Sequence, residues 1–379
     1  MPPRKKQKKG AAAANEHSNE IVIVPTVDPA SRPPQPKNGI CSLPLELLWH
    51  ISTYLGLSIQ VPHEYAGRWS SSGNPVLPGD YGWRTANLRA LAGTCAPLRN
   101  VYLPLLWESW NVCVDPGNGR AFYKILGDHL RDASIALARQ PETLELIRTI
   151  NVVLTRYSSN EVLPPFAQAM TKMPNLHTLQ VIHAHSQMTT HLKKGFENIS
   201  LPTIQCVVVP DHGHEILRCC PEVKHVICTS ADGSKLVSAI GKCCPKVEII
   251  QDFDISGDNL RKRLLKAAPN LLELKMHSHH VNAEHIKALS GFKKLKAIQF
   301  IHHISLDELE SGAATRIPEV LVKPVQAAKA LLQAQSGPTR LSVKFTFEGR
   351  LGWPLSFSDR EKLYQKMLKA DFPTLEIPV

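Results

Sequence analysis

The chain has 379 residues, 43% hydrophobic and 20% charged, a globular composition that excludes a fibrous or wholly disordered protein and leaves room for two or three domains. Its net charge of +11 resembles a nucleic-acid signal until it is located: Arg4, Lys5, Lys6, Lys8 and Lys9 supply five of those charges within "PRKKQKKG", and elsewhere no basic run is interleaved with aromatics. No apolar run is long enough for a membrane span, and the N-terminus lacks a hydrophobic signal segment, so the expectation is a soluble intracellular protein with no membrane partner and no dedicated nucleic-acid surface.

Residues 1–39 carry the basic cluster, which reads as a nuclear-localisation signal, a weak nucleic-acid tether or a solvated tail; the first reading places the protein in the nucleus, or in nucleus and cytoplasm. "AAAA" and "IVIVPTVDPASRPPQPKNG" follow; the prolines and the lack of a helical period mark a disordered linker. Then "SLPLELLWHISTYLGL", Ser42 to Leu57, reads as a helix opened by Pro44 and Glu46. Leu43, Leu47, Leu48, Ile51, Tyr54 and Leu55 fall on one stripe about 140° wide, and Leu45 and Trp49 form a second apolar face. Two apolar faces require two burial partners, and periodicity does not say which face meets which. A Gly-, Pro- and Ser-rich loop at about 58–84 interrupts the module. Leu88, Leu91, Ala92 and Cys95 then share a helical face, and Pro97 opens a further short helix in "PLRNVYLPLLWESWNV".

"LPLELLWHISTYL" resembles the opening helix of an F-box, matching at Leu43, Pro44, Glu46, Leu47, Leu48, Ile51, Tyr54 and Leu55. "NLRALAGTCAPLRNVYLPLLWESWNV" is similar to the rest of that motif, with Leu88, Leu91, Cys95, Leu98, Arg99 and a closing Trp107. The insertion after the first helix and Pro97 depart from the family pattern. The resemblance implies a three-helix module over residues 40–113 that docks on a Skp-family adaptor and, through it, a cullin ubiquitin ligase, with Leu43, Pro44, Leu47, Leu48 and Ile51 at the adaptor.

Downstream the sequence repeats. "CCPEVKHVICTS", "CCPKVEIIQDF", "AAPNLLELKMHS" and "GFKKLKAIQFIH" align, with Pro221, Pro245, Pro269 and Lys293 each 24 residues apart. Val223, Val247, Leu271 and Leu295 recur two positions later, and Val226, Ile250, Leu274 and Ile298 five later. Five positions earlier, Ile216, Ile240, Leu264 and Ala288 sit in helical stretches. Each unit is therefore a helix, a tight turn and a short strand, too small to bury its apolar face alone, so neighbours must stack into a solenoid. Looser copies at "MPNLHTLQVIH" and "LPTIQCVVVP" raise the number to at least six over residues 120–304, and "FPTLEIPV" offers another at the C-terminus. The period is similar to that of leucine-rich repeats, and the Cys-Pro openings to the cysteine-containing subtype often joined to F-boxes. Asp252 stands where the repeat expects an apolar residue. Residues 305–379 lose the register and read as a mixed α/β terminal cap, with helices in 306–335, a strand in "RLSVKFTFEG" and a helix in "SDREKLYQKMLKADF". The expected fold class is thus α/β: a three-helix module, a repeat solenoid and a cap.

Nine cysteines, an odd number that includes the neighbours Cys219-Cys220 and Cys243-Cys244, are a poor disulfide framework and imply reduced thiols. Zinc is the next candidate, because these cysteines and His277, His279, His280, His302 and His303 cluster in the second half. Adjacent cysteines lack ligand spacing, and Cys220 and Cys244 share one repeat position, which makes them small core residues. His279 and His303 sit ten residues after Pro269 and Lys293, close in space at the ends of adjacent strands, as a solvated edge or a pH-sensitive or ligand-contacting patch. No phosphate-binding loop, nucleophile elbow or dinucleotide fingerprint is present. The expectation is a non-catalytic receptor without cofactor or metal, whose solenoid presents a protein target for ubiquitination. The alternative is a nuclear leucine-rich scaffold or transport factor.

Overall fold

The computed structural model of the chain describes residues 39–53, 77, 79–113, 121–335, 337–347 and 373–379. The basic cluster Arg4, Lys5, Lys6, Lys8 and Lys9, the residues Tyr54 and Leu55, and the expected helix at 358–372 lie outside the described residues. The chain divides into Met1–Leu43 and Pro44–Val379. The described residues of the first unit include a 3-10 turn, Ile40–Ser42, in which both the amide and the hydroxyl of Ser42 donate to the Gly39 carbonyl, at 3.0 and 2.7 Å.

The second unit opens with three helices: α1 (Leu45–Thr53), α2 (Gly79–Thr94) and α3 (Ala96–Trp107). Helix α2 starts inside the expected 58–84 loop, because the run from Gly79 onward contains no further proline and continues into the Leu88 and Ala92 stripe, both of which are buried. Extended Cys95 (φ −159°, ψ 167°) breaks α2 from α3, and Pro97 lies in the first turn of α3, where a missing N–H costs nothing. Tyr102 is fully buried, and its hydroxyl donates to the Leu48 carbonyl at 3.2 Å, which ties α3 to α1.

Strand β1 (Ser109–Val112) follows α3 with only Glu108 between them. The remaining elements in chain order are α4 (Phe122–Leu137), α5 (Pro141–Leu144), β2 (Thr149–Leu154), α6 (Ser159–Thr171), β3 (Thr178–Ala184), α7 (Thr189–Gly195), β4 (Cys206–Val209), α8 (His214–Leu217), β5 (His225–Cys228), α9 (Ser234–Cys243) and β6 (Ile249–Gln251). They continue with α10 (Asp258–Ala267), β7 (Glu273–His277), α11 (Ala283–Lys287), β8 (Ala297–Ile304), α12 (Leu306–Glu310), α13 (Val322–Gln333), β9 (Arg340–Phe347) and β10 (Thr374–Ile377). All ten strands form one sheet in sequence order, parallel from β1 to β9. Parallel neighbours require a crossover, which the helical half of each unit supplies.

Register follows the repeat. One row of paired residues runs Trp110, Ile150, Leu179, Val207, Val226, Ile250, Leu274, Ile298 and Leu341, and ends at Ile377. Every member is buried in one continuous core, between the sheet and helix residues such as Ile216, Ile240 and Leu264. At the start of each strand one carbonyl accepts two amides from the next: Lys224 from Glu248 and Ile249, Glu248 from Leu272 and Glu273, Leu272 from Lys296 and Ala297. The strand edge groups are thereby satisfied from unit to unit.

Three expectations change. Ala288 is exposed and Leu289 buried in its place, because the last unit ends in a 3-10 turn, Ala288–Gly291, which rotates the inward position by one residue. "FPTLEIPV" is not another repeat: β10 runs antiparallel to β9. The sheet also overruns the expected solenoid limits. It begins at Ser109, before residue 120, and β9 and β10 add to it beyond 304, so the region expected as a cap extends the sheet itself.

Candidate functional site

Among the described residues, two places stand out for side chains that core formation does not explain. The first is α1. Leu48 is 5% exposed and points into the helical module, whereas Leu45, Leu47 and Trp49 are 46%, 48% and 55% exposed. Of the residues expected at an adaptor, Pro44 and Leu47 are exposed and Leu43 and Ile51 are half-buried. Leu48 corrects that expectation: with Tyr102 bonded to its carbonyl, it anchors the helix instead of facing outward. Among the helix residues whose burial is described, the covered arc holds Leu48, Ile51 and Ser52, about 100° of the helix. The face at Leu45 and Trp49 is therefore open to solvent, and so is Leu47 on the other side.

The second place is the end of strands β7 and β8. His277 closes β7, and a 3-10 turn, Ser278–His280, carries His279 just beyond it. His303 lies near the end of β8, opposite Thr346 of β9. The His277 and His303 rings stack with centroids 4.8 Å apart, and His303 Nε2 lies 2.9 Å from His277 Nδ1. The His279 ring is 5.4 Å from that of His277 and 6.1 Å from that of His303. The outer nitrogens are engaged as well: His277 Nε2 is 3.0 Å from Asp252 Oδ1, and His303 Nδ1 is 3.0 Å from the Thr346 hydroxyl. Ser278 Oγ, 2.9 Å from His302 Nδ1, pins the turn that bears His279 to β8.

Asp252 reaches this cluster through a local reversal. It occupies the repeat position held by Cys228, Met276 and Phe300, all buried, but its φ is +61°, in the left-handed region that aspartate tolerates better than most residues. Strand β6 stops at Gln251, Phe253 takes the place in the core, and the Asp252 carboxylate faces His277. The sequence named His277, His279 and His303 within one candidate cluster and placed His279 and His303 together; it did not find Asp252 or Thr346 as members of the same group. The mismatch of Asp252 with its repeat was the one visible signal.

The cysteines lie where the repeat puts them. Cys220 and Cys244 are buried, and burial pushes the Cys244 thiol up to about 12 and the Cys220 thiol well above its ordinary value. Burial likewise raises Cys228 to about 12 and Cys219 to about 11. These groups stay protonated at neutral pH and pack as small apolar side chains.

No family model matches the sequence, and no curated protein is similar to it. Among solved structures, the leucine-rich repeat-containing protein LegL7 from Legionella pneumophila is a distant neighbour, with a TM-score of 0.28 and 11% identity over 62% of this chain and 95% of that one. What the coordinates themselves establish is an α/β architecture with a ten-stranded, mostly parallel sheet whose strand and helix alternation is compatible with a leucine-rich-repeat-like solenoid.

Proposed function

We propose that the protein is the non-catalytic substrate-recognition subunit of a Skp-cullin-F-box ubiquitin ligase, with α1 of an F-box module meeting the adaptor and the repeat sheet meeting the target. The observation that carries this reading is the open apolar face of α1. Among the described residues of this helix, Leu48 is buried and Ile51 and Ser52 are half-buried, while Leu45, Leu47 and Trp49 are exposed to water. Burying side chains of this kind against a partner is worth about 1.5–3 kcal/mol each. Tryptophan is also enriched among residues that dominate binding energy. The three-helix order and the motif residues on α1, α2 and α3 support the same assignment.

In this role the protein contributes proximity. The target is held near a ubiquitin-charged enzyme carried elsewhere in the complex, which raises the effective concentration of its lysines. The sheet face opposite the core carries Gln251, Lys275, Gln299 and Ser342 in one paired row, in which Lys275 and Gln299 are half-buried and Gln251 and Ser342 are buried. The Arg4 to Lys9 cluster supports nuclear import.

The test is co-purification of the full chain with a Skp-family adaptor, comparing wild type with Leu45→Asp/Trp49→Asp and with Leu47→Asp. These positions are exposed, so the variants keep the wild-type circular dichroism. Association that falls at least tenfold in the variants supports the receptor reading. No association of well-folded wild type would overturn it and favour the scaffold or transport role.

A further inference from the structure

The histidine cluster is chemically more specific than a solvated edge. His277, His279 and His303 each offer one ring nitrogen, and these three atoms lie within 4.8 Å of one another. We propose that they form a transition-metal site that takes a late divalent ion, zinc(II) first, through three imidazoles, with the fourth position left to water.

Four observations carry this. The first is convergence from separate segments. His277 comes from the end of β7, His279 from the turn beyond it and His303 from β8, so the sheet register, not a local sequence motif, brings them together. The second is distance. Nitrogen ligands at 2.0–2.1 Å from a tetrahedral zinc lie about 3.3 Å from one another. The His277 and His303 nitrogens, 2.9 Å apart, are already near that spacing. His279 is the exposed member of the three, so rotation about its side-chain bonds closes the remainder.

Third, the nitrogens that face away from the cluster are held as an outer shell holds them. A metal-bound imidazole characteristically gives its other N–H to a carboxylate, a carbonyl or water, which fixes the tautomer and the ring orientation. His277 Nε2 meets the Asp252 carboxylate, whose side chain is 7% exposed, and His303 Nδ1 meets the Thr346 hydroxyl. With its Nε2 edge turned to Asp252, His277 presents Nδ1 to His303. A metal ion would satisfy both facing nitrogens at once, which a single shared proton does less completely. Fourth, the backbone at Asp252 adopts a costly positive φ, which turns this carboxylate toward the histidine instead of continuing the strand.

Zinc fits better than magnesium or calcium, which prefer oxygen ligands. The buried thiols stand apart from this chemistry, since Cys220 and Cys244 lie in the core between sheet and helices.

The experiment uses the full chain without an affinity tag of histidines, stripped with a chelator and dialysed. Zinc(II) is titrated in competition with a chromophoric chelator, and cobalt(II) is added separately to read ligand geometry from its visible absorption. Wild type should bind one equivalent of zinc and give the intense bands of a tetrahedral cobalt site. His279→Ala and His303→Ala should each weaken binding at least a hundredfold and abolish those bands. Asp252→Asn should weaken it roughly tenfold while keeping the bands, the effect of an outer-shell partner. His279 is exposed, so its variant keeps the fold, and circular dichroism of all variants checks this. Absence of stoichiometric zinc binding by wild type, or equal binding by wild type and the two histidine variants, would overturn the proposal.

Discussion

At the residue scale, function and fold compete for the same repeat position at Asp252. The repeat asks for an apolar group there, and the chain supplies a carboxylate. The backbone resolves the conflict by moving into the left-handed region, so that Phe253 fills the core and the charge turns to His277. A second residue-scale device sits at the end of β8, where Ser305 and Glu308 form a capping box. The Ser305 amide and hydroxyl donate to Glu308 Oε2 at 2.7 and 3.0 Å, while the Glu308 amide donates to Ser305 Oγ at 3.2 Å. The hydrogen bond from the Ser305 backbone, then that from its hydroxyl, holds the Glu308 carboxyl below its ordinary pKa. A depressed carboxylate pKa gives stability that is present above the unfolded value and lost as pH falls through the folded one. Ser305→Ala should therefore cost about 0.5–2 kcal/mol at neutral pH, and the gap should narrow on acidification. Urea midpoints of the two proteins at pH 7 and at about pH 4 check this; a gap that is constant or grows on acidification would disprove the linkage.

Elements are held together by exchanges between consecutive units, and their glycines mark the closest approaches. Gly233, with φ +79°, lies just before α9, and a Cβ there would come 2.5 Å from Cδ1 of Phe253 in the next unit. Both backbone and space require glycine. Gly233→Ala should lower stability by about 1–3 kcal/mol, the range of a strained or overpacked site. Thermal denaturation measures it, and an unchanged midpoint would show that the ring yields freely. Side chains also bridge successive turns at the repeat period: Lys246 pairs with Glu222, and Lys294 Nζ donates to Asn270 Oδ1 at 2.7 Å. Such exposed pairs contribute little energy, about 0–1 kcal/mol, so they assist register while the buried row of apolar residues supplies stability.

The second unit as a whole behaves as a stack in which each layer contacts its neighbours, with the helical module attached at one end. That attachment is direct. Trp107, the last residue of α3, packs against the main core, and Trp110 on β1 is buried in it. The Glu108 carbonyl between them accepts the amides of Arg148 and Thr149, so the first crossover is bonded to the module's exit. Trp107 is half-buried, so Trp107→Ala should loosen the junction by less than the loss of about 3–5 kcal/mol expected for a fully buried aromatic. In a nearest-neighbour stack, amide hydrogen exchange should accelerate in α3, β1 and β2 while β7 and β8 keep their protection. Uniform acceleration throughout would mean that the unit unfolds in one step instead.

Much of this was legible in the sequence because each signal was local and repeated. The spacing of Pro221, Pro245 and Pro269 set the pairing of Val226 with Ile250 and of Ile250 with Leu274, since a strand that repeats every 24 residues can stack in phase only one way. The helix at Leu47 and Leu48 and the burial of Cys220 and Cys244 followed from periodicity in the same manner. Tertiary structure alone decided the rest. It turned Leu48 inward and left Leu45, Leu47 and Trp49 outside, because both apolar faces of α1 are equivalent until the packing of α3 selects one. It made β10 antiparallel, and it joined Asp252 and Thr346 to the histidines His277, His279 and His303, because contacts across strands and a single reversed φ leave no periodic trace in the chain.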